Sequence, residues 1–230
     1  MSAAEARSLA VAIDTASDLP GVALSENGVL LAEASWRTRQ GHSRELLPTL
    51  EWLLARVTRN KAEIGALFVC TGPGSYAGLR VGVSTAKALA YGLDAALVGV
   101  GRLAADAEPL VASAPGRVVA VHAAGRAELA WAAYGRGEGE MRELMAPQLG
   151  PVPALIESLG DDDIVCCELR TLDAATLGTL QGIVRAVEAP SPRIAAVSRI
   201  GQTRWSRGVV DNADTLVPLY LRAPAIGPQS

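Results

Sequence analysis

The order of predicted strands and helices is repeated along this chain, and the repeat limits its possible folds more than any other feature. In each half, three strands are followed by a helix, a strand, a helix and a strand. The first half places strands at 9–13, 22–24, 29–33, 67–71 and 96–100 and helices at 46–57 and 75–92. The second places strands at 118–122, 128–134, 141–145, 164–167 and 183–187 and helices at 153–159, 172–180 and 194–207. Topology recurs here without sequence identity, so we predict an α/β fold of two lobes, each a mixed sheet with flanking helices.

Local signals support these elements and leave one boundary open. The dipeptide Asn27-Gly28 favours the positive φ angles of a tight hairpin turn between the second and third strands. The first helix has two candidate starts. Either Ser43 is its N-cap and Pro48 lies inside it, or Pro48 is its first residue.

Composition excludes several classes of protein. The chain has 230 residues, half of them apolar and a fifth charged, with a formal net charge of -3. This is a globular composition, and the charge argues against a protein that binds nucleic acid through its own basic surface. Arg199, Arg204 and Arg207 could form a small basic patch on the last helix, although a solvated helix face explains them better.

Histidine and cysteine usage gives no metal site. His42 and His122 are far apart in sequence, and Cys70, Cys166 and Cys167 lie in apolar stretches, so no zinc spacing can be assembled. We predict that the three thiols are reduced and buried. The odd cysteine count, and an N-terminal apolar run too short for a secretory leader or a membrane span, predict a cytoplasmic protein without membrane contact.

A glycine-rich turn joins a strand to a helix at Thr71–Arg80. Gly72 and Gly74 permit backbone conformations that other residues resist, and Ser75 can cap the helix. Free N–H groups at such a turn suit an anion, but a tight turn without a ligand explains the same glycines equally well. The turn is not a Walker loop, since no Gly-Lys-Ser or Gly-Lys-Thr follows it.

The helix after this turn has two distinct rows of residues. One row is a narrow polar stripe made of Tyr76, Arg80, Ser84, Lys87 and Tyr91. The other row, Gly78, Gly82 and Ala86, lacks bulk at four-residue spacing and lets another backbone approach closely. Two interpretations stay open: a helix buried in its own core, or a helix that packs against another protein.

Five segments together resemble the TsaB (YeaZ) family. They are Ile13-Asp14-Thr15-Ala16, His42-Ser43 with Leu46-Leu47-Pro48, the run from Gly72 to Gly82, Ala86-Lys87, and Leu216-Val217-Pro218-Leu219-Tyr220-Leu221-Arg222. The resemblance implies a duplicated actin-like (ASKHA) fold of the ribonuclease-H type. We expect an N-terminal lobe over 1–103, which carries the partner-binding helices, and a C-terminal lobe over 104–230. The last segment of the C-terminal lobe is a candidate to pack on the N-terminal lobe. The chain departs from the family at His122-Ala123-Ala124, where Asp-Ala-Arg is usual.

The resemblance also implies a function. Family members are non-catalytic partners of a larger homologous subunit, TsaD, which transfers threonylcarbamoyl to the tRNA adenosine beside the anticodon. A TsaE-like ATPase is a further expected partner, tRNA is met only through the complex, and the chain alone is expected to form a homodimer. The N-lobe helices would pack on the partner as a four-helix bundle. The residues expected at that interface are Leu46, Leu50, Leu53, Leu54, Gly78, Gly82 and Ala86.

Two other functions compete with this one. An independent ATP-dependent kinase of small metabolites would use Asp14, Gly72, Gly74 and Ser75 to bind nucleotide or another anion. A strand-end turn explains Asp14 better. The family resemblance implies no catalytic residue and no tightly bound cofactor, with ATP or ADP and magnesium as candidates only within the complex. A metalloprotease is disfavoured because the chain lacks the His-x-x-x-His metal pair of its catalytic relative.

Overall fold

The first half of the chain forms a five-stranded mixed sheet in the computed structural model, which describes residues 7–38, 41–125 and 128–220. Leu221 and Arg222 of the C-terminal motif lie outside these ranges. The strands occur in the order β3-β2-β1-β4-β5, with β1 antiparallel to β2 and parallel to β4. They are β1 (Leu9–Asp14), β2 (Gly21–Glu26), β3 (Val29–Ser35), β4 (Ile64–Gly72) and β5 (Ala96–Gly101). Helices α1 (His42–Arg56) and α2 (Tyr76–Leu93) cover one face of this sheet.

The second half repeats the arrangement. Its strands are β6 (Val118–Gly125), β7 (Glu128–Arg136), β8 (Met141–Pro151), β9 (Ile164–Cys167) and β10 (Arg185–Glu188), in the order β10-β9-β6-β7-β8. Read from the opposite edge, this is the strand order of the first sheet, and β6 is likewise antiparallel to one neighbour and parallel to the other. Helices α4 (Val152–Ser158) and α5 (Ala174–Gln181) cover its outer face. The predicted duplication is therefore confirmed.

Two further helices lie between the sheets. Helix α6 (Ile194–Ser206) packs on the first sheet, on the face opposite α1 and α2, and α3 (Arg102–Val111) packs against both α6 and the second sheet. The sequence analysis missed α3. Its ten residues include Pro109 and directly follow β5 without a turn signal, so the apolar spacing of Leu103, Ala107 and Val111 was easily read as a connection.

Strand β1 explains how α6 fits so closely. Its large residues Leu9, Val11 and Ile13 face α1 and α2, whereas the alternating Ala10 and Ala12 face α6. Because alanine is short, the α6 backbone approaches the sheet. A Cβ added at Gly201 of α6 would lie 2.3 Å from Cγ of Phe68. Because side-chain size alternates along the strand, the sheet has a bulky face covered by α1 and α2 and a flatter face covered by α6.

The structure resolves the open start of α1. The helix begins at His42, so Ser43 and Pro48 both lie inside it. Gly41 precedes the first helical residue, and no side chain caps this end. Pro48 is exposed and lies in the second turn of the helix.

The three cysteines are free and buried, as predicted. Burial raises the pKa of Cys70 and Cys166 well above the ordinary thiol value and that of Cys167 to about 12. Among the helices of the described ranges, none combines the length and apolar character needed to cross a membrane.

Candidate functional site

The glycine-rich turn is held against the loop that follows β1. Gly72 has a φ of +101°, and a Cβ on Gly74 would lie 2.3 Å from the carbonyl oxygen of Ala16. The Ser75 N–H donates to the same oxygen at 2.8 Å, and Ser75 Oγ accepts from the Gly78 N–H at 3.3 Å, which confirms the predicted cap. Close backbone contact therefore accounts for these glycines without a bound anion.

Asp14 lies at the end of β1 and is 1% exposed. One carboxylate oxygen accepts from the Ala16 N–H at 2.8 Å, and the other faces Arg193 Nη1 at 3.3 Å. Arg193 also pairs with Asp106 at 2.8 Å and with Glu168 at 2.9 Å. Asp14 is thus already bound by groups of the protein itself.

These residues belong to a larger interlobe ion cluster, formed by Asp14, Arg102, Asp106, Glu168 and Arg193. Arg102 contacts Glu168 at 2.5 Å and Asp106 at 3.3 Å. Burial opposes charge on Arg193, yet Asp106 and Asp14 raise its pKa well above the ordinary value. Burial alone would raise the pKa of Glu168, but Arg102 and Arg193 hold it below the usual range. The cluster ties β1, α3, the end of β9 and the start of α6 together through mutually compensated charges.

His122 lies on β6 near this cluster. Burial, followed by the positive charge of Arg102, lowers the pKa of His122 to about 3. The imidazole is therefore neutral near pH 7 and is poorly suited to acid–base catalysis there. Within the part of the chain that the structure describes, no group of three or more His, Cys, Asp or Glu side chains is arranged to hold a metal ion.

All seven residues predicted at a partner interface lie inside the chain's own core. The four leucines of α1 pack on the first sheet. A Cβ on Gly78 would lie 2.0 Å from the Thr15 carbonyl oxygen, and one on Gly82 would lie 2.3 Å from Thr15 Oγ1. Gly78 and Gly82 thus make room for the backbone and the side chain of Thr15, the residue after β1. Direct partner contact by these residues does not fit the structure.

The opposite sides of the two helices face outward. Leu47 and Trp52 of α1 are 42% and 57% exposed, and Tyr91 of α2 is 90% exposed. The Arg56 guanidinium lies 5.8 Å from the Trp52 ring centroid, and that of Arg80 lies 5.5 Å from the Tyr76 centroid. We call this surface the α1–α2 face; its members are Leu47, Trp52, Arg56, Tyr76, Arg80 and Tyr91.

The polar stripe identified from the sequence supplied half of the α1–α2 face: Tyr76, Arg80 and Tyr91. Leu47 and Trp52 were missed, although both are apolar residues off the buried leucine row of α1, a signal that could have found them. Lys87, the remaining long side chain of the stripe, is half-buried and donates to the Leu216 carbonyl at 3.2 Å.

The C-terminal segment runs beside the glycine-rich turn. The Leu219 N–H donates to the Thr71 carbonyl at 2.7 Å, and the Tyr220 ring lies 4.9 Å from that of Tyr76. Two motifs that carry the family resemblance, about 140 residues apart in sequence, therefore meet at the first turn of α2.

Arg199 and Arg204 of α6, and Arg207 directly after it, do not form a free basic patch. Arg199 pairs with Glu108 at 2.5 Å, Arg204 with Asp211 at 3.4 Å, and Arg207 with Glu140. Each guanidinium is thus matched by a carboxylate, which removes the charge that a nucleic-acid contact would use.

Comparison with known proteins places this architecture in a family. A family model described as "TsaD: tRNA N6-adenosine threonylcarbamoyltransferase" matches residues 32–165, more than half of the chain. The tRNA threonylcarbamoyladenosine biosynthesis protein TsaB of Bacillus subtilis (strain 168) is 27% identical over 222 residues, covering 92% of this chain and 93% of that protein. The chain belongs to this family, on its TsaB (YeaZ) branch.

Two further relatives agree with the family assignment. TsaB of Escherichia coli (strain K12) is 33% identical over 129 residues, covering 56% of this chain and 55% of that protein. The solved structure of YeaZ from Pseudomonas aeruginosa superimposes with a TM-score of 0.77 at 23% identity, over 93% of this chain and 100% of that one. The expected duplicated actin-like fold is confirmed by this likeness and by the repeated strand order.

Proposed function

We propose that this chain is the non-catalytic partner of a larger TsaD-like subunit in the synthesis of threonylcarbamoyladenosine in tRNA. The curated relatives carry that biosynthesis in their names, and the family model is that of the transferase. The observation that carries the proposal is the α1–α2 face, a pair of long helices sealed on one side by the sheet and exposing Trp52 and Tyr91 on the other.

The chemistry of this face favours a protein partner. Exposed tryptophan and tyrosine supply most of the binding energy in many interfaces, because they bury a large area and lose few rotamers. The surrounding charges are mainly positive: Arg44, Arg56 and Arg80 are exposed. The nearby acids are already engaged, since Glu45 accepts from Trp36 Nε1 at 2.7 Å and Glu51 pairs with Lys61 at 2.5 Å. A partner surface with carboxylates fits these arginines best.

The same charges bear on self-association. In a two-fold symmetric dimer through this face, the arginines of one copy approach those of the other. We therefore propose a homodimer when the chain is alone, weaker than the complex with the larger subunit and strengthened by salt.

The ion cluster supports catalytic silence. A magnesium nucleotide bound at Asp14 would have to displace Arg193 from that carboxylate, although Asp106 and Glu168 hold the same guanidinium in place. We place ATP or ADP with magnesium, the TsaE-like ATPase and the tRNA contact elsewhere in the complex, and the complex in the cytoplasm. No observation favours the kinase alternative.

Binding of the purified TsaD-like subunit tests the proposal. Trp52→Ala and Tyr91→Ala are each expected to weaken the complex by about 10- to 100-fold in calorimetry, because each removes an exposed aromatic anchor. Leu149→Ala is the matched control, since Leu149 is a 41% exposed residue of β8 in the other lobe. All three variants should keep the wild-type unfolding midpoint.

Unchanged affinity in both aromatic variants would overturn the proposed docking face. Arg80→Glu separates the charge contribution from the apolar one: the association rate should fall at low salt and recover towards the wild-type value at high salt.

A further inference from the structure

The two helices of the α1–α2 face are small for a stable protein–protein interface. Eight residues of α1 and seven of α2 are exposed, whereas each side of a standard interface contributes about 20–30 residues. An interface of ordinary size therefore extends onto a neighbouring element. The edge strand β3 lies on the α1 side of the helix pair, and residues 211–220, which we call the C-terminal strap, lie on the α2 side.

The C-terminal strap begins at the free edge of the first sheet. The Asp211 N–H donates to the Leu97 carbonyl oxygen of β5 at 2.7 Å, and the Asp211 carboxylate accepts from the Gly99 N–H at 2.8 Å. Strand β5 is the edge strand of the sheet opposite β3. The strap therefore occupies the edge that β5 would otherwise leave unpaired.

The rest of the C-terminal strap follows α2. The Leu216 carbonyl accepts from Lys87 Nζ, and the Tyr220 ring lies against that of Tyr76. Since residue 216 lies at Lys87 and residue 220 at the first turn of α2, the strap runs beside the helix in the opposite direction. It reaches the α1–α2 face at Tyr76, which is a member of that face.

The backbone of the strap is fixed, yet part of its apolar surface is exposed. Leu216 packs against the core of the first lobe, whereas its neighbour Val217 is 67% exposed and Leu219 is 40% exposed. Among the large apolar side chains of the described ranges, only Tyr91 is more exposed than Val217. Apolar side chains on a backbone that is already ordered are suited to binding, because association then costs little conformational entropy.

We propose that the TsaD-like subunit binds across α1, α2 and the C-terminal strap, and that it packs apolar side chains against Val217 as well as against Tyr76. This inference rests on the proposed docking of the α1–α2 face and adds a third element to it. The strap is favoured over β3 because it contacts a member of the face directly. Strand β3 instead packs on the core beneath α1, through Ala32 and Ala34.

Calorimetry with the purified TsaD-like subunit compares two matched variants of the whole chain. Val217→Asp should weaken the complex by about tenfold or more, because the new carboxylate is buried against an apolar partner surface. Val29→Asp is the matched control, since Val29 of β3 is 64% exposed and undergoes the same change. It should bind within about twofold of wild type. Both replaced side chains are exposed, so both variants should keep an unfolding midpoint close to that of wild type.

Trp52→Ala separates this inference from the proposed function. If Trp52→Ala weakens the complex and Val217→Asp does not, the α1–α2 face remains the docking surface and the strap inference is wrong. A larger effect of Val29→Asp than of Val217→Asp would also overturn the inference, because the interface would then extend past α1. If Trp52→Ala has no effect, the proposed docking face fails first.

Hydrogen exchange gives a second readout that needs no variant. On binding of the TsaD-like subunit, the backbone amides of residues 215–220 should exchange more slowly, together with those of α1 and α2. The amides of β3 should exchange at the rate of the free chain. Slower exchange in both helices with unchanged exchange in the strap would contradict the proposal.

Discussion

The two lobes share a strand order but differ in the helices that cover them. Helices α1 and α2 of the first lobe have 15 and 18 residues, whereas α4 and α5 of the second have 7 and 8. The longer helices pack on the sheet with one side and expose Trp52, Tyr76 and Tyr91 on the other. The shorter pair carries no aromatic residue. A duplicated backbone topology therefore does not duplicate the surface: among the described residues, the exposed aromatic side chains of the outer helix pairs belong to the first lobe.

The glycines of the two lobes differ in the same way. Gly78 of α2 lies against the Thr15 carbonyl, but Gly178 of α5 has no atom within 4 Å of the position of an added Cβ. Helix α2 is thus held at backbone contact with its sheet, while α5 is not. This close approach fixes the orientation of the exposed aromatic residues on α2.

The largest expected effect comes from breaking that contact. Gly78→Leu should destabilise the protein by more than about 5 kcal/mol and prevent stable folding, because the Thr15 backbone cannot move away without separating α2 from β1. Gly178→Leu is the matched control in the second lobe. It should change the free energy of unfolding by about 1 kcal/mol or less, in the stabilising direction. Urea denaturation measures both, and a well-folded Gly78→Leu protein would contradict the close-contact interpretation.

The next effect concerns the charges that join the lobes. Arg193→Met leaves Asp14, Asp106 and Glu168 with one guanidinium fewer, and we expect a loss of about 3–5 kcal/mol in the free energy of unfolding. Arg37→Met removes an exposed bridge to Asp18 that lies outside the cluster, and it should leave the urea midpoint nearly unchanged. If the two variants unfolded at the same urea concentration, the cluster would not be what holds the lobes together.

The smallest expected effect is a pH dependence of stability, caused by a difference between the central strands β1 and β6 of the two sheets. Asp14 of β1 is ion-paired, but His122 of β6 is neutral with a pKa of about 3, against 6.5 when unperturbed. The unfolded state therefore binds one more proton between these values, so wild-type stability falls as pH falls. The His122 share of this slope is about 1.4 kcal/mol per pH unit below pH ~6.5.

His122→Asn should remove that slope. Its stability should be nearly constant from about pH 6.5 to about pH 5.5, above the range in which the carboxylates of the unfolded chain protonate. Urea titrations at a series of pH values measure the difference between variant and wild type. Parallel stability curves for the two proteins would show that the imidazole is not kept neutral by the fold.

Much of the fold could be predicted because hydrophobic periodicity is a local signal. The two helices of the first lobe were located nearly correctly, and β10 was displaced by only a residue or two. Helix α3 was missed because it follows β5 directly and is stabilised by contacts with both sheets. The residues predicted at an interface are buried in the chain's own core, since an apolar row indicates burial but not what buries it. Arg193 was missed altogether, because its three acidic partners are 25 to 179 residues away in sequence.

The α/β class, the duplication, the family and the polar stripe of α2 could all be read from the amino-acid sequence, since each depends on short-range spacing or on motifs. Three contacts could not: Gly78 and Gly82 pack on Thr15 of the same chain, Arg193 pairs with Asp14, and Tyr134 and Gln202 line one cavity. These are contacts between distant segments. Their energies depend on burial and on distances of a few ångströms, which exist only after the two sheets and the helices between them have come together.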